Sequence, residues 1–151
     1  MADASHESSV ILAVAERLDI HPCDVWTPND LGQLEEAIGG GVPSLFRAFV
    51  LEFGTPRSVA LRFETDDFHF SRLGDMLETL KFYEIEGKRV IPFGYDLLGS
   101  VWLLRFSPQP GNDKVLFMPV QERYTNPEAP VETRATSFEA FLLALTRAEN
   151  V

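Results

Sequence analysis

The chain has 151 residues, is 45% hydrophobic and 24% charged, and carries a formal net charge of -10. That length suits one domain, able to bury roughly 70% of its unfolded surface. No run approaches the ~18 apolar residues that span a bilayer, and so negative a chain repels nucleic acid and anionic lipid while attracting basic partners.

The charge is uneven. Residues 1–36 hold eight acids, Asp3, Glu7, Glu16, Asp19, Asp24, Asp30, Glu35 and Glu36, against the single base Arg17. They account for seven of the ten excess negative charges, and either form a docking face or keep the protein soluble. The opening Met1-Ala-Asp-Ala-Ser-His-Glu7 lacks the basic region of a secretory signal, and Cys23 is the only cysteine, so a cytoplasmic protein without an internal disulfide is expected.

Residues 1–8 read as a loose tail. From Ser9, Val10, Ile11, Val14, Ala15 and Leu18 recur at helical spacing, and Pro22 ends the pattern. An irregular segment follows, with Trp26 as an apolar anchor. Thr27 is placed to cap a second helix, with Pro28 in its first turn, Asp30 near its positive end and Leu31, Leu34 and Ile38 on one face. Gly39-Gly-Gly41 ends that helix. The triple glycine follows a helix and lacks the lysine of a phosphate loop, so it reads as a helix terminus. Pro43 opens a third helix with Leu45, Phe46, Phe49, Val50 and Phe53, ending at Gly54.

Ser58 to Thr65 alternates as a strand, with Asp66-Asp67 as a turn and Phe68-His-Phe70 as a short partner strand. Ser71 is a candidate cap for a helix with Leu73, Met76, Leu77 and Leu80. Gly87-Lys-Arg89 turns into the central stretch, Val90 to Phe106. There an apolar run stops at Pro92, a loop spans Gly94 to Gly99, and a second apolar run carries Trp102 and Phe106. Lys114 to Met118 reads as a strand antiparallel to Val101–Phe106. Residues 119–130 form a loop, Val131 to Arg134 an edge strand, and Thr136-Ser-Phe-Glu139 a capping box for a last helix with Phe138, Phe141, Leu142 and Leu145. The expected fold class is α+β: a mostly antiparallel sheet of about 5–6 strands flanked by helices. The expected core is Leu34, Ile38, Phe46, Phe49, Val50, Leu77, Ile91, Phe93, Trp102, Leu104, Phe117, Phe138, Phe141 and Leu142.

Three phrases in this order resemble the SUKH superfamily, typified by fungal cell-wall assembly regulators of the Smi/Knr type. They are Leu34-Glu-Glu-Ala-Ile-Gly-Gly-Gly-Val-Pro43 with Phe46-Arg-Ala-Phe49 and Phe53-Gly54; Ile91-Pro-Phe-Gly-Tyr-Asp-Leu-Leu-Gly99; and Ser137-Phe-Glu-Ala-Phe-Leu142. The likeness covers about residues 28–149 of one domain spanning 1–151, with 1–27 as an N-terminal extension. Phe46 stands where the family has a tyrosine, and Phe53 where it has an asparagine. The resemblance implies a binding protein without catalysis. Bacterial members are immunity proteins that neutralise a cognate toxin, often a nuclease, and fungal members act as scaffolds.

The residues themselves offer little chemistry. His21 and Cys23 are not joined by a second ligand pair, so neither a metal nor a cofactor is expected. Asp96 lies between two glycines and either caps backbone N–H groups or faces a partner. The alternative to a binding protein is an enzyme with an unfamiliar site, built from Asp96, His69 and Cys23. A sheet cleft with two titratable groups in hydrogen-bond reach favours the enzyme; a solid core with an acidic face favours binding. The expected partner is a basic protein, a toxin acting on nucleic acid. Its expected contacts are Glu16, Asp19, Asp24, Asp30, Glu35, Glu36, Asp66, Asp67 and Asp96, with Trp26 or Tyr95 as aromatic anchors.

Overall fold

The computed structural model describes residues 4–18, 25–55, 61–63, 66–106, 113–119 and 131–147. Helix α1 (Ala4–Leu18) starts earlier than its apolar pattern. Residues 5–8 are polar, and tertiary contacts fix this end of the helix: His6 Nε2 lies 2.6 Å from Glu139 Oε1, and the Ser44 hydroxyl donates to the Glu7 carboxylate. Helix α2 (Pro28–Ile38) has the expected punctuation. The Thr27 hydroxyl accepts from the Asp30 N–H at 3.1 Å, while Asp30 Oδ2 accepts from the Thr27 N–H at 2.8 Å. Leu31, Leu34 and Ile38 are buried. Helix α3 (Ser44–Glu52) buries Phe46, Phe49 and Val50. No anion cradle forms after α2. Instead the Glu35 carboxylate accepts from the Val42 N–H at 3.3 Å, so a negative group already occupies that loop.

Six strands, β1 (Leu61–Phe63), β2 (Asp66–Phe70), β3 (Val90–Tyr95), β4 (Val101–Arg105), β5 (Lys114–Met118) and β6 (Glu132–Ala135), form one sheet in chain order. Every neighbouring pair is antiparallel. Helix α4 (Leu73–Phe82) is inserted between β2 and β3, and α5 (Phe138–Arg147) follows β6. The fold is α+β, as its element order implies. The expected strand over 58–65 is described only at Leu61–Phe63.

Four local expectations are corrected. Asp66 and Asp67 are not a turn: Asp66 pairs with Phe63, so both begin β2. Strand β3 does not stop at Pro92. Pairing shifts register between Ile91 and Gly94, and this bulge accommodates a residue with no N–H to give. Ser71 does not cap α4; it is buried, its N–H bonds the Phe93 carbonyl at 2.9 Å, and Arg72 holds the cap position. The cap of α5 is Ser137 and not Thr136, since Ser137 Oγ accepts from the Ala140 N–H at 3.0 Å.

Both faces of the sheet are apolar, which is why β4 and β5 show no polar alternation. Trp102, Leu104, Val115 and Phe117 join the main core, which draws on all five helices and on β1 to β5. Val101, Leu103, Leu116 and Met118 form a smaller cluster with Tyr83, Ile85, Val90 and Val131. The expected core residues are buried except Leu77, which is partly exposed and packs on the rim.

The sheet curls around α5. Phe141 is fully buried, with its ring 4.9 Å from Phe63, 5.0 Å from Phe68, 5.3 Å from Phe93 and 5.5 Å from Trp102. Arg134 ties the curl: it leaves β6 and reaches Asp66 of β2 at 2.7 Å. Its guanidinium sits 5.0 to 5.5 Å from the ring centroids of Trp102, Phe117 and Phe63, so cation–π attraction adds to the ion pair.

Candidate binding surface

The β3–β4 hairpin is built by a few residues with separate tasks. Gly94 lies beneath a phenyl ring: a Cβ there would stand 2.0 Å from Phe68 Cε2. Asp96 is 6% exposed, and its Oδ1 accepts from the N–H groups of Leu98 at 3.0 Å and Ser100 at 2.8 Å. The Asp96 N–H reaches the Ser100 carbonyl at 3.1 Å, and the Gly99 N–H reaches the Asp96 carbonyl at 3.1 Å. Gly99 takes φ +91°, which an L side chain rarely adopts. With the loop clamped inward through Asp96, Leu97 and Leu98 face out, at 78% and 66% exposure.

A second layer steadies the loop from β2. Asp67 Oδ2 accepts from the Leu97 N–H at 2.9 Å and lies 3.0 Å from His69 Nε2. The His69 ring stacks on Tyr95, with centroids 5.2 Å apart and planes at 19°. Beside the hairpin lies an open groove of roughly 340 Å³, lined by Ser71, Asp75, Thr79, Tyr83, Tyr95 and Val101 together with Gly94 and Gly99. At the end of α4, Phe82 is 70% exposed, its ring 4.8 Å from Tyr83. Asp75 is the only acid or base among the described lining residues, tyrosines apart.

The sequence-derived contact set is dispersed by this geometry. Tyr95, 41% exposed, does face outward. Trp26 does not: it is 5% exposed, edge-on to Phe46, because its apolar area is needed to seal the core beside α3. Asp96 is an internal cap and offers no surface. Asp30 caps α2, Glu35 holds Val42 and lies 3.8 Å from Arg47, and Asp66 holds Arg134. Glu16 and Glu36 are exposed, on α1 and α2 respectively, while Asp19 and Asp24 lie outside the described residues, as do His21 and Cys23. The structure brings Asp67, Tyr95 and Asp96 together, and α1 packs on α3 and α5 while α2 packs on α4.

Phe82, Leu97 and Leu98 were missed as surface residues. Their signal was present: two adjacent leucines in a tight loop between Asp96 and Gly99 cannot both turn inward. Asp67 and His69 form a titratable couple in hydrogen-bond reach, the arrangement that would favour an enzyme. Both, however, hold the loop, and neither lines the groove.

Residues 26–144 match the model of the SMI1 / KNR4 family (SUKH-1). The chain belongs to that family. The match takes in α2 through most of α5 and leaves α1 outside it. No curated protein matches the chain. Among the described residues no group of three or more His, Cys, Asp and Glu side chains is placed to hold a metal ion, and no helix is long and apolar enough to cross a membrane.

Proposed function

We propose that this protein is a non-catalytic binding protein of the immunity type, which binds and neutralises a basic toxin that acts on nucleic acid. The observation that carries this reading is the hairpin tip. Its acid side chains accept from backbone N–H groups, its histidine packs between Asp67 and Tyr95, and its leucines face solvent. Groups poised for proton transfer would be aimed at a substrate; here they build a platform. Family membership supports the reading, and so does the charge of -10. A nuclease carries positive charge where phosphate binds, so a negative inhibitor associates with it faster at low salt. The lone Cys23 suits a reducing compartment, and the cytoplasm is the proposed site of action.

The test is coexpression with the protein encoded by the adjacent gene, followed by measurement of complex formation and of nuclease activity. A stoichiometric complex with loss of activity is expected, with association slowing as salt rises. Failure to form a complex, together with unprotected nucleic acid, would overturn the reading.

A further inference from the structure

We infer that the groove between α4 and the β3–β4 hairpin is the docking face, and that it receives a segment of a basic protein presenting a cationic side chain flanked by apolar ones. The inference rests on the binding-protein reading and adds to it a place and a chemistry.

The apolar half of the argument is exposure. Phe82, Leu97 and Leu98 are the three most exposed large hydrophobic side chains among the described residues, at 70%, 78% and 66%. They belong to the two elements that flank one groove. Two of them are held out by a loop whose backbone is fixed through Asp67 and Asp96. A fixed platform loses little conformational freedom on binding, so its exposed area converts to affinity more fully than that of a floppy loop.

The charged half selects the occupant. Asp75 lines the groove together with Ser71, Thr79, Tyr83 and Tyr95. Within residues 66–86, Asp66 holds Arg134 and Asp67 holds the loop, and the rest of the segment carries the acids Asp75, Glu78, Glu84 and Glu86 against the bases Arg72 and Lys81. A second copy of the chain would bring another -10 and be repelled. An arginine or lysine entering the groove would come to the Asp75 carboxylate beside tyrosine and hydroxyl-bearing side chains.

The test uses the full chain, labelled with nitrogen-15, and a short peptide with arginine flanked by leucines. A control peptide of equal charge carries serine in place of leucine. Amide shifts are expected at Thr79, Tyr83 and Tyr95 to Ser100, with the control about tenfold weaker. The double variant Leu97→Ser, Leu98→Ser is expected to lose about tenfold in affinity with its dispersed spectrum intact, since both side chains stand in solvent. Asp75→Asn should weaken the peptide and reduce its salt dependence. Shifts centred on Glu36 of α2, equal binding of both peptides, no binding at all, or concentration-dependent self-association closing the groove would each overturn the assignment. The toxin assay is independent, so the neutralisation reading and the docking face can fail separately.

Discussion

Gly94→Ala tests the packing at the centre of the molecule with one added methyl group. The new Cβ would stand 2.0 Å from Phe68 Cε2, 2.7 Å from Cζ and 2.8 Å from Cδ2, where ordinary contact is 3.4–4 Å. Phe68 is fully buried and cannot step aside, because Phe70, Phe93, Phe141 and Trp102 surround it at 4.8, 5.4, 5.0 and 5.9 Å. Relief requires β3 and β2 to part, so the loss should sit near or above the top of the usual overpacking range, about 3 kcal/mol. Phe68→Leu alone should cost about 1–3 kcal/mol through the space it leaves. In the double variant the methyl enters that space, so the combined loss should fall short of the sum by about 1–2 kcal/mol. Urea unfolding followed by tryptophan fluorescence measures all three. A loss below about 0.5 kcal/mol for Gly94→Ala, or strict additivity, would refute the reasoning.

Asp96→Ala should cost about 2 kcal/mol, because the N–H groups of Leu98 and Ser100 lose a buried charged acceptor; Asp96→Asn should recover part of this, as read by urea unfolding and by hydrogen exchange at Ser100. Asp66→Ala should cost about 1–2 kcal/mol, a value discounted for the 37% exposure of that side chain, because the Arg134 guanidinium, held among three rings, loses its 2.7 Å carboxylate. Arg134→Met should cost less than Asp66→Ala if a stranded cation is the cause. Burial raises the Asp113 carboxyl above its ordinary value, so the folded chain binds that proton more readily than the unfolded chain. Ionised Asp113 therefore opposes folding above its folded pKa, and the opposition fades as pH falls through the carboxylate range. Asp113→Asn should thus be modestly more stable than the parent at neutral pH and indistinguishable from it in acid, as thermal melts across pH would show.

How far the fold was legible follows from what holds each element. Strands β3 to β5 and helices α2 and α3 carry their own signals: Thr27 and Gly39, Pro43 and Gly54, and runs of large apolar residues between turns. Helix α1 before Ser9 carries none. Its first turns are polar and are fixed by Glu139 and Ser44, far away in sequence. The start of β2 was hidden for a related reason. Asp66 and Asp67 look like turn residues, yet each carboxylate is held by a group distant in sequence, Arg134 in one case and the Leu97 N–H in the other. Counting acids located charge without showing that Asp30, Glu35, Asp66 and Asp96 already had internal partners.

The Ile91–Gly99 phrase divides into positions set by the fold and side chains open to solvent. Pro92 sits in a bulge, Phe93 and Ile91 are buried, Gly94 makes room for Phe68, Asp96 caps the loop, and Gly99 supplies its left-handed turn. Each of these positions is set by a contact inside the fold, so replacing it alters the platform itself. Tyr95, Leu97 and Leu98 are the remaining positions, and all three side chains are exposed. The backbone N–H of Leu97 is held by Asp67 and that of Leu98 by Asp96, so neither loop leucine needs its side chain to stay in place. The side chains of Leu97 and Leu98 can therefore change while the hairpin stays as it is, whereas Tyr95 is tied to β2 by its stack on His69. The net charge is spread over the chain, whereas the two exposed loop leucines stand on a backbone that other residues hold.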